Sequence, residues 1–199
     1  MRFCSECGGP VALAVPDGDD RERPICTRCG HVHYRNPLVV VGCIVERDGD
    51  VLLCRRAIEP VAGRWTIPAG YLELGETLIA GACRETFEEA GADVEVTAPH
   101  SYLDLPHAGQ MQATYRAALR RPGIAVGHES LEVAFFPLAR LPWDELAFPA
   151  VRIALELWRD DQLAGRRCVH HGRLAWDGSG SRFDMRHYAL ADHLRTPIA

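Results

Sequence analysis

The chain has 199 residues, 47% of them hydrophobic and 25% charged, with a formal net charge of −5. That length suits one well-buried domain plus a small accessory one, and the composition argues against disorder and fibres. No stretch approaches the roughly 20 apolar residues of a membrane span, and the acidic balance argues against binding nucleic acid by phosphate neutralisation. The opening residues, MRFCSECGGP, lack the apolar core of a signal peptide, so a cytoplasmic location is expected.

The first 35 residues stand apart. FCSECGGP and ICTRCGHVH are two CxxCG knuckles separated by the polar run PDGDDRER. Cys4, Cys7, Cys26 and Cys29 follow the spacing C-x2-C-x18-C-x2-C, which falls in the range of a four-cysteine zinc site. Zinc would supply the folding energy that so short a segment cannot draw from a core. A glycine after the second cysteine of each pair suits a tight turn that aims amides at the sulfurs. Cys43, Cys54, Cys83 and Cys168 are scattered and read as small buried hydrophobes.

Beyond residue 35 the pattern turns to strands. LVVVGCIV is apolar and β-branched, RDGD is a hairpin turn and VLLC the return strand. GRWTIPAGYLE adds a short strand ending at Gly70. A helix is expected from Leu78 to Ala90, with Thr77 as N-cap and Gly91 as its stop. Short strands are expected near Asp93–Ala98, Met111–Leu119 and Leu131–Pro137. A last helix should run from Ala150 to Ala164, with Val151, Leu155 and Trp158 as its core stripe. Residues 166–199 read as one strand and a loose tail. The resulting division is 1–35, 36–165 and 166–199.

The Leu78–Ala90 helix carries the chemistry. Between Glu73 and Glu89 there are five glutamates, one arginine and no lysine. Successive helical residues turn about 100°, so Glu85, Glu88 and Glu89 share one face, while Ala80, Cys83, Phe87 and Ala90 would face the sheet. Like charges this close destabilise a helix by a few tenths of a kcal/mol per pair, roughly. Carboxylates crowded without lysines suit a hard divalent cation such as Mg²⁺, which binds carboxylate oxygens together with substrate phosphates. Arg84 can steady one carboxylate from outside the cluster.

Gly70, then Glu76, then RETFEEAGA resembles the Nudix box, G-x5-E-x7-R-E-U-x-E-E-x-G-U with U a bulky aliphatic. Gly70, Glu76, Arg84, Glu85, Glu88, Glu89 and Gly91 match every fixed position; Thr86 and Ala92 depart from the two U positions. The resemblance implies an α/β (α+β) fold, a Nudix-type α/β/α sandwich with a mixed sheet, preceded by the zinc ribbon. It implies Mg²⁺- or Mn²⁺-dependent hydrolysis of a nucleoside diphosphate linked to another group. Glu85, Glu88 and Glu89 would hold the metal, with the Gly70 carbonyl as a further ligand. Arg84 would orient Glu85, and Glu76 would fix the loop. Glu85 or Glu129 would serve as general base, with Glu132 as a neighbour able to take that part instead. Arg56 resembles a phosphate-contacting position.

Pro106 lies where ADP-ribose-type Nudix hydrolases tend to carry proline. The ribbon is similar to that of NADH pyrophosphatases, but their downstream SQPWPFPxS signature is missing. Residues 3–175 resemble zinc-ribbon Nudix proteins whose plant relatives include FAD pyrophosphatases that also take ADP-ribose. The resemblance therefore implies a small-molecule nucleotide substrate, FAD or ADP-ribose, released as AMP plus FMN or ribose 5-phosphate. Alternatives are an NADH pyrophosphatase or RNA-decapping enzyme, and a non-catalytic ADP-ribose sensor; the intact box and the lack of a helix-turn-helix pattern weigh against the sensor. A homodimer is expected from the resemblance alone. Trp65 and Tyr34 are candidate aromatic partners for a base, although core packing is the simpler role for each.

Overall fold

The structure, a computed structural model, describes residues 1–198. It divides into two compact units, Met1–Pro37 and Leu38–Ala199.

The smaller unit has little to bury. It pairs strands β1 (Val11–Ala14) and β2 (Arg23–Cys26) antiparallel, and its only buried apolar side chains are Cys4 and Cys26. The four cysteines do the gathering. Cys4 Sγ lies 3.8 Å from Cys29 Sγ and Cys7 Sγ 3.5 Å from Cys26 Sγ. Tyr34 is exposed, with the Arg23 guanidinium 5.3 Å above its ring. Core packing is therefore not its role.

The larger unit begins with a hairpin. β3 (Leu38–Arg47) and β4 (Asp50–Arg56) are joined by Asp48 and Gly49, both with positive φ, as a two-residue hairpin turn demands. β5 (Trp65–Thr66) and β6 (Ala69–Tyr71) are short. Then come helix α1 (Leu78–Ala90), β7 (Val94–Leu105), β8 (Gln110–Leu119), β9 (Ser130–Pro137), helix α2 (Pro149–Leu163), β10 (Cys168–Trp176) and β11 (Tyr188–Pro197). The nine-stranded sheet runs β11-β10-β7-β8-β3-β4-β5, with β6 also on β3 and β9 on β4. β3–β8 and β7–β10 are parallel and the other pairs antiparallel, so the sheet is mixed.

Strand alternation assigns the two helices to opposite faces. Val41, Cys43 and Val45 of β3, with Leu52 and Cys54 of β4, pack with Ala82 and Ala90 of α1. Ile44, Val51 and Leu53 project the other way, onto Val151, Leu155 and Trp158 of α2. Trp65 is buried in this second layer, as core packing requires. An α/β/α sandwich follows. A polar pin crosses it: Glu46 accepts from Arg116, from Trp158 Nε1 at 2.6 Å and from Gln162 at 2.8 Å.

Two expectations need correction. The buried face of α1 is Gly81, Ala82, Thr86, Glu89 and Ala90; Ala80 and Phe87 are exposed and Cys83 half-buried. Thr86 can sit in the core because its hydroxyl donates to Ala82 O at 2.7 Å. The loose tail is instead a second strand, β11, paired with the one expected. β10 joins the sheet beside β7, and its Gly-Ser-rich sequel is the connection to β11. Behind β10 a buried polar knot ties it to α2: Asp161 accepts from His170 Nε2 at 3.0 Å, Cys168 N at 3.1 Å and Arg166 Nε at 2.9 Å. The sequence hides β11 because none of its residues is fully buried, so no apolar alternation marks it.

Candidate active site

Local chemistry builds the loop and helix that carry the glutamates. Thr77 has extended backbone and its hydroxyl accepts from Ala80 N at 3.1 Å, capping α1. Gly91 ends the helix at φ 58°, a left-handed conformation costly for a side chain, and its N–H donates to Phe87 O. Before the helix, Glu76 braces the loop by accepting from Glu73 N at 2.7 Å.

Arg84 is the hub. Its guanidinium donates to Glu76 at 2.7 and 3.1 Å, Glu85 at 2.8 Å, Glu88 at 3.0 Å and Tyr71 O at 3.1 Å. It therefore sits within the carboxylate cluster and not beside it, as the sequence reading had it. This arginine holds Glu76 down to about pKa 2, with help from the Glu73 amide.

Glu85 and Glu89 are placed by close backbone approach. The Glu85 carboxylate lies against Gly70, where a Cβ would collide with it. Glu89 is buried, and its Oε2 accepts from Ala69 N at 3.0 Å. Burial pushes the Glu89 carboxyl up to about 7, against the pull of that amide and with nearby Glu85 and Glu129 adding to the rise. Burial also raises Glu85, partly offset by Arg84. Glu88 is exposed and turned toward Arg84. The three carboxylates of α1 do not converge to one coordination sphere; among the described residues, only the four cysteines and His100–Asp161–His170 bring three donor atoms within 4.8 Å.

The donor set nonetheless fits a hard divalent cation. It is all carboxylate and backbone oxygen, and its one arginine is shared among Glu76, Glu85 and Glu88. In the small unit, sulfurs 3.5–3.8 Å apart match the spacing of about 3.8 Å that tetrahedral Zn–S bonds of about 2.3 Å would set. Backbone amides of Glu6, Gly9, Arg28 and Cys29 donate to these sulfurs at 3.4 Å. Donation from Cys29 N, then Arg28 N, draws the Cys26 thiol down to about 6 despite burial, favouring the ligating thiolate.

The glutamate face opens on a cavity of about 1190 Å³. Gly70, Arg56 and Glu129 line it together with Glu85, Glu88 and Glu89. Glu132 does not; it faces Arg55 at 3.7 Å from β9. Pro106 is not a lining residue either. It opens a 3-10 turn, Pro106–Ala108, which presents its neighbours Leu105, His107 and Ala108 to the cavity. Sequence reading missed Phe148, Arg182, Phe183 and Tyr188, which form an aromatic and basic wall of the same cavity. No motif marks them, because they come from a helix N-cap and from the segment read as a tail.

A family model described as NUDIX domain matches residues 36–156, and one described as Nudix N-terminal matches residues 2–35. The chain belongs to the NUDIX domain family. A crystal structure of a NUDIX hydrolase from Nitrosomonas europaea is 44% identical, with a TM-score of 0.84 over 87% of this chain and 98% of that one. Among curated relatives, an ADP-ribose pyrophosphatase of Methanocaldococcus jannaschii is 30% identical over 63% of this chain and 76% of its own length. The NAD-capped RNA hydrolase NudC of Photobacterium profundum is 35% identical over 47% of this chain. The match spans 33% of that NudC. No helix is long and apolar enough to cross a membrane among the described residues.

Proposed function

We propose that this Nudix chain hydrolyses the pyrophosphate bond of an ADP-linked nucleotide, FAD or ADP-ribose, releasing AMP plus FMN or ribose 5-phosphate. The observation that carries this reading is the convergence of Glu85, Glu88, Glu89, Arg56 and Glu129 on one cavity large enough for a dinucleotide. Glu85, Glu88, Glu89 and the Gly70 carbonyl would hold Mg²⁺ or Mn²⁺. When bound, the cation neutralises phosphate oxygens and stabilises charge developing on the leaving phosphate. Arg84 orients Glu85 and Glu88. Arg56 offers its guanidinium to a phosphate oxygen, since it has no carboxylate partner among the described residues. Glu129 accepts the proton of the water that attacks phosphorus, and Glu85 is the alternative base. The four cysteines hold a structural zinc. Assembly as a homodimer in the cytoplasm completes the reading.

A second reading has its own support. The zinc-ribbon match and the NudC relatives favour NAD or NAD-capped RNA as substrate, which also yields an AMP half. A hydrolysis panel with Mg²⁺ or Mn²⁺ and FAD, ADP-ribose, NADH and NAD-capped RNA, with products separated by chromatography, tests both. AMP with FMN or ribose 5-phosphate supports the first reading. Preferential cleavage of NADH or capped RNA replaces it with the second, and binding of ADP-ribose without cleavage leaves a sensor.

A further inference from the structure

The cavity has two chemically different ends. One is the glutamate face. The other is aromatic, and its outer wall comes from the connection between β10 and β11, beyond the residues 36–156 that the family model matches.

Phe183 projects from that connection and is 42% exposed, while Phe148 faces it from the start of α2; their ring centroids lie 6.1 Å apart at 63°. Arg56 stands 5.0 Å above the Phe148 ring, so it marks the boundary between the phosphate end and the aromatic end. Arg182 covers Trp176 at 5.1 Å and, like Arg56, has no ion-pair partner among the described residues, whereas Arg84 is shared by three carboxylates.

This wall is held in place. Tyr188 Oη donates to Arg182 O at 3.0 Å and lies 3.2 Å from His107 Nε2, linking the wall to the turn after β7. Asp177 accepts from Ser179 N at 2.8 Å and pairs with His187 at 3.0 Å. A half-exposed phenylalanine on an anchored tip, steadied by edge contact with a second ring on the cavity lining, offers a preorganised flat apolar face for a ligand ring to stack on.

Resting on the hydrolase reading above, we infer that Phe183 and Phe148 form the subsite for the planar heterocyclic ring of the nucleotide, with Arg56 toward its phosphate. The β10–β11 connection thus sets which ring-bearing substrates the site accepts. Adenine and flavin share the required chemistry, and separate half-substrates distinguish them.

The test is titration calorimetry on the full zinc-loaded chain with AMP, with FMN and with Mg²⁺-pyrophosphate, comparing wild type, Phe183→Ala and Phe183→Tyr. Loss of base–aromatic stacking should weaken the ring-bearing ligand by about tenfold or more in Phe183→Ala, and the tyrosine should restore it. Pyrophosphate affinity should be the same in all three. Weakening confined to AMP assigns adenine, and weakening confined to FMN assigns flavin. Unchanged affinity for both, no binding of either by wild type, or equal weakening of pyrophosphate overturns the subsite. If AMP or FMN behaves as expected while no dinucleotide is cleaved, the hydrolase reading alone fails.

Discussion

The ribbon and the glutamate helix use metal-binding side chains in opposite ways. In Met1–Pro37 the clustered cysteines stand in for a core: almost nothing apolar is buried except two of the cysteines themselves. In α1 the proposed ligands sit on a helix that has a packed core of its own. Glu89 is buried although unfavourably so, and Glu85 is wedged against Gly70, because Ala82, Thr86 and Ala90 already anchor the helix to the sheet. On the proposed reading, metal would be a condition of folding in the first region and a load that the core can carry in the second. Each substitution or chelation below strikes one side of that contrast.

The largest effect should come from Glu88→Gln and Glu89→Gln. Each should lower turnover about 10³-fold, the loss of several kcal/mol of metal-borne stabilisation, while far-ultraviolet dichroism stays unchanged. Retained activity in both would remove the metal assignment. Chelating the ribbon metal should unfold residues 1–37 as a unit while the melting of the larger unit persists, read by hydrogen exchange on each segment. Loss of protection across the sheet strands would show that the ribbon is no separate folding unit.

On the core side, Trp158→Ala should cost about 3–5 kcal/mol in denaturant unfolding, since the ring is fully buried and its N–H is bonded to Glu46. His100 supplies a pH-dependent test. It is fully buried, burial pushes it down to about 4, and its Nε2 is 2.9 Å from Ala154 O. Between pH 6.5 and 4 the unfolded chain takes up a proton there that the fold refuses. Stability should therefore fall as pH drops through that window, by at most a few kcal/mol for this group, and His100→Gln should flatten the slope. An identical slope in the variant would contradict the assignment. The smallest effect is Thr77→Ala, which removes the α1 cap and should cost about 1 kcal/mol.

How much was legible in the sequence follows the same division. The bounds of α1, its Thr77 cap and its Gly91 stop follow from local chemistry that neighbours do not override. So does the β3–β4 hairpin, where Asp48 and Gly49 leave the chain little choice. The burial of α1 was misread because its sheet-facing side is built from small residues and Thr86. Large Phe87 lies outside, so hydrophobicity pointed to the wrong stripe. The box residues were readable as a spacing, but the aromatic wall of the cavity was not. Phe148 and Phe183 are 35 positions apart, and it takes both the packing of α2 on the sheet and the pairing of β10 with β7 to bring their segments to one cavity. Between Glu129 and Glu132 the sequence offered no choice; the strand register supplies one, placing Glu132 opposite Arg55 and leaving Glu129 at the cavity.

The central claim is that Glu85, Glu88 and Glu89 form a divalent-cation site on a fold that does not need it. Mn²⁺ binding followed by electron paramagnetic resonance, on the zinc-loaded full chain and on Glu89→Gln, tests it most directly. The expected result is Mn²⁺ bound by the wild type, binding at least about tenfold weaker in the variant, and the same melting temperature for both without Mn²⁺ or a higher one for the variant. Equal Mn²⁺ affinity in the two proteins would contradict the account.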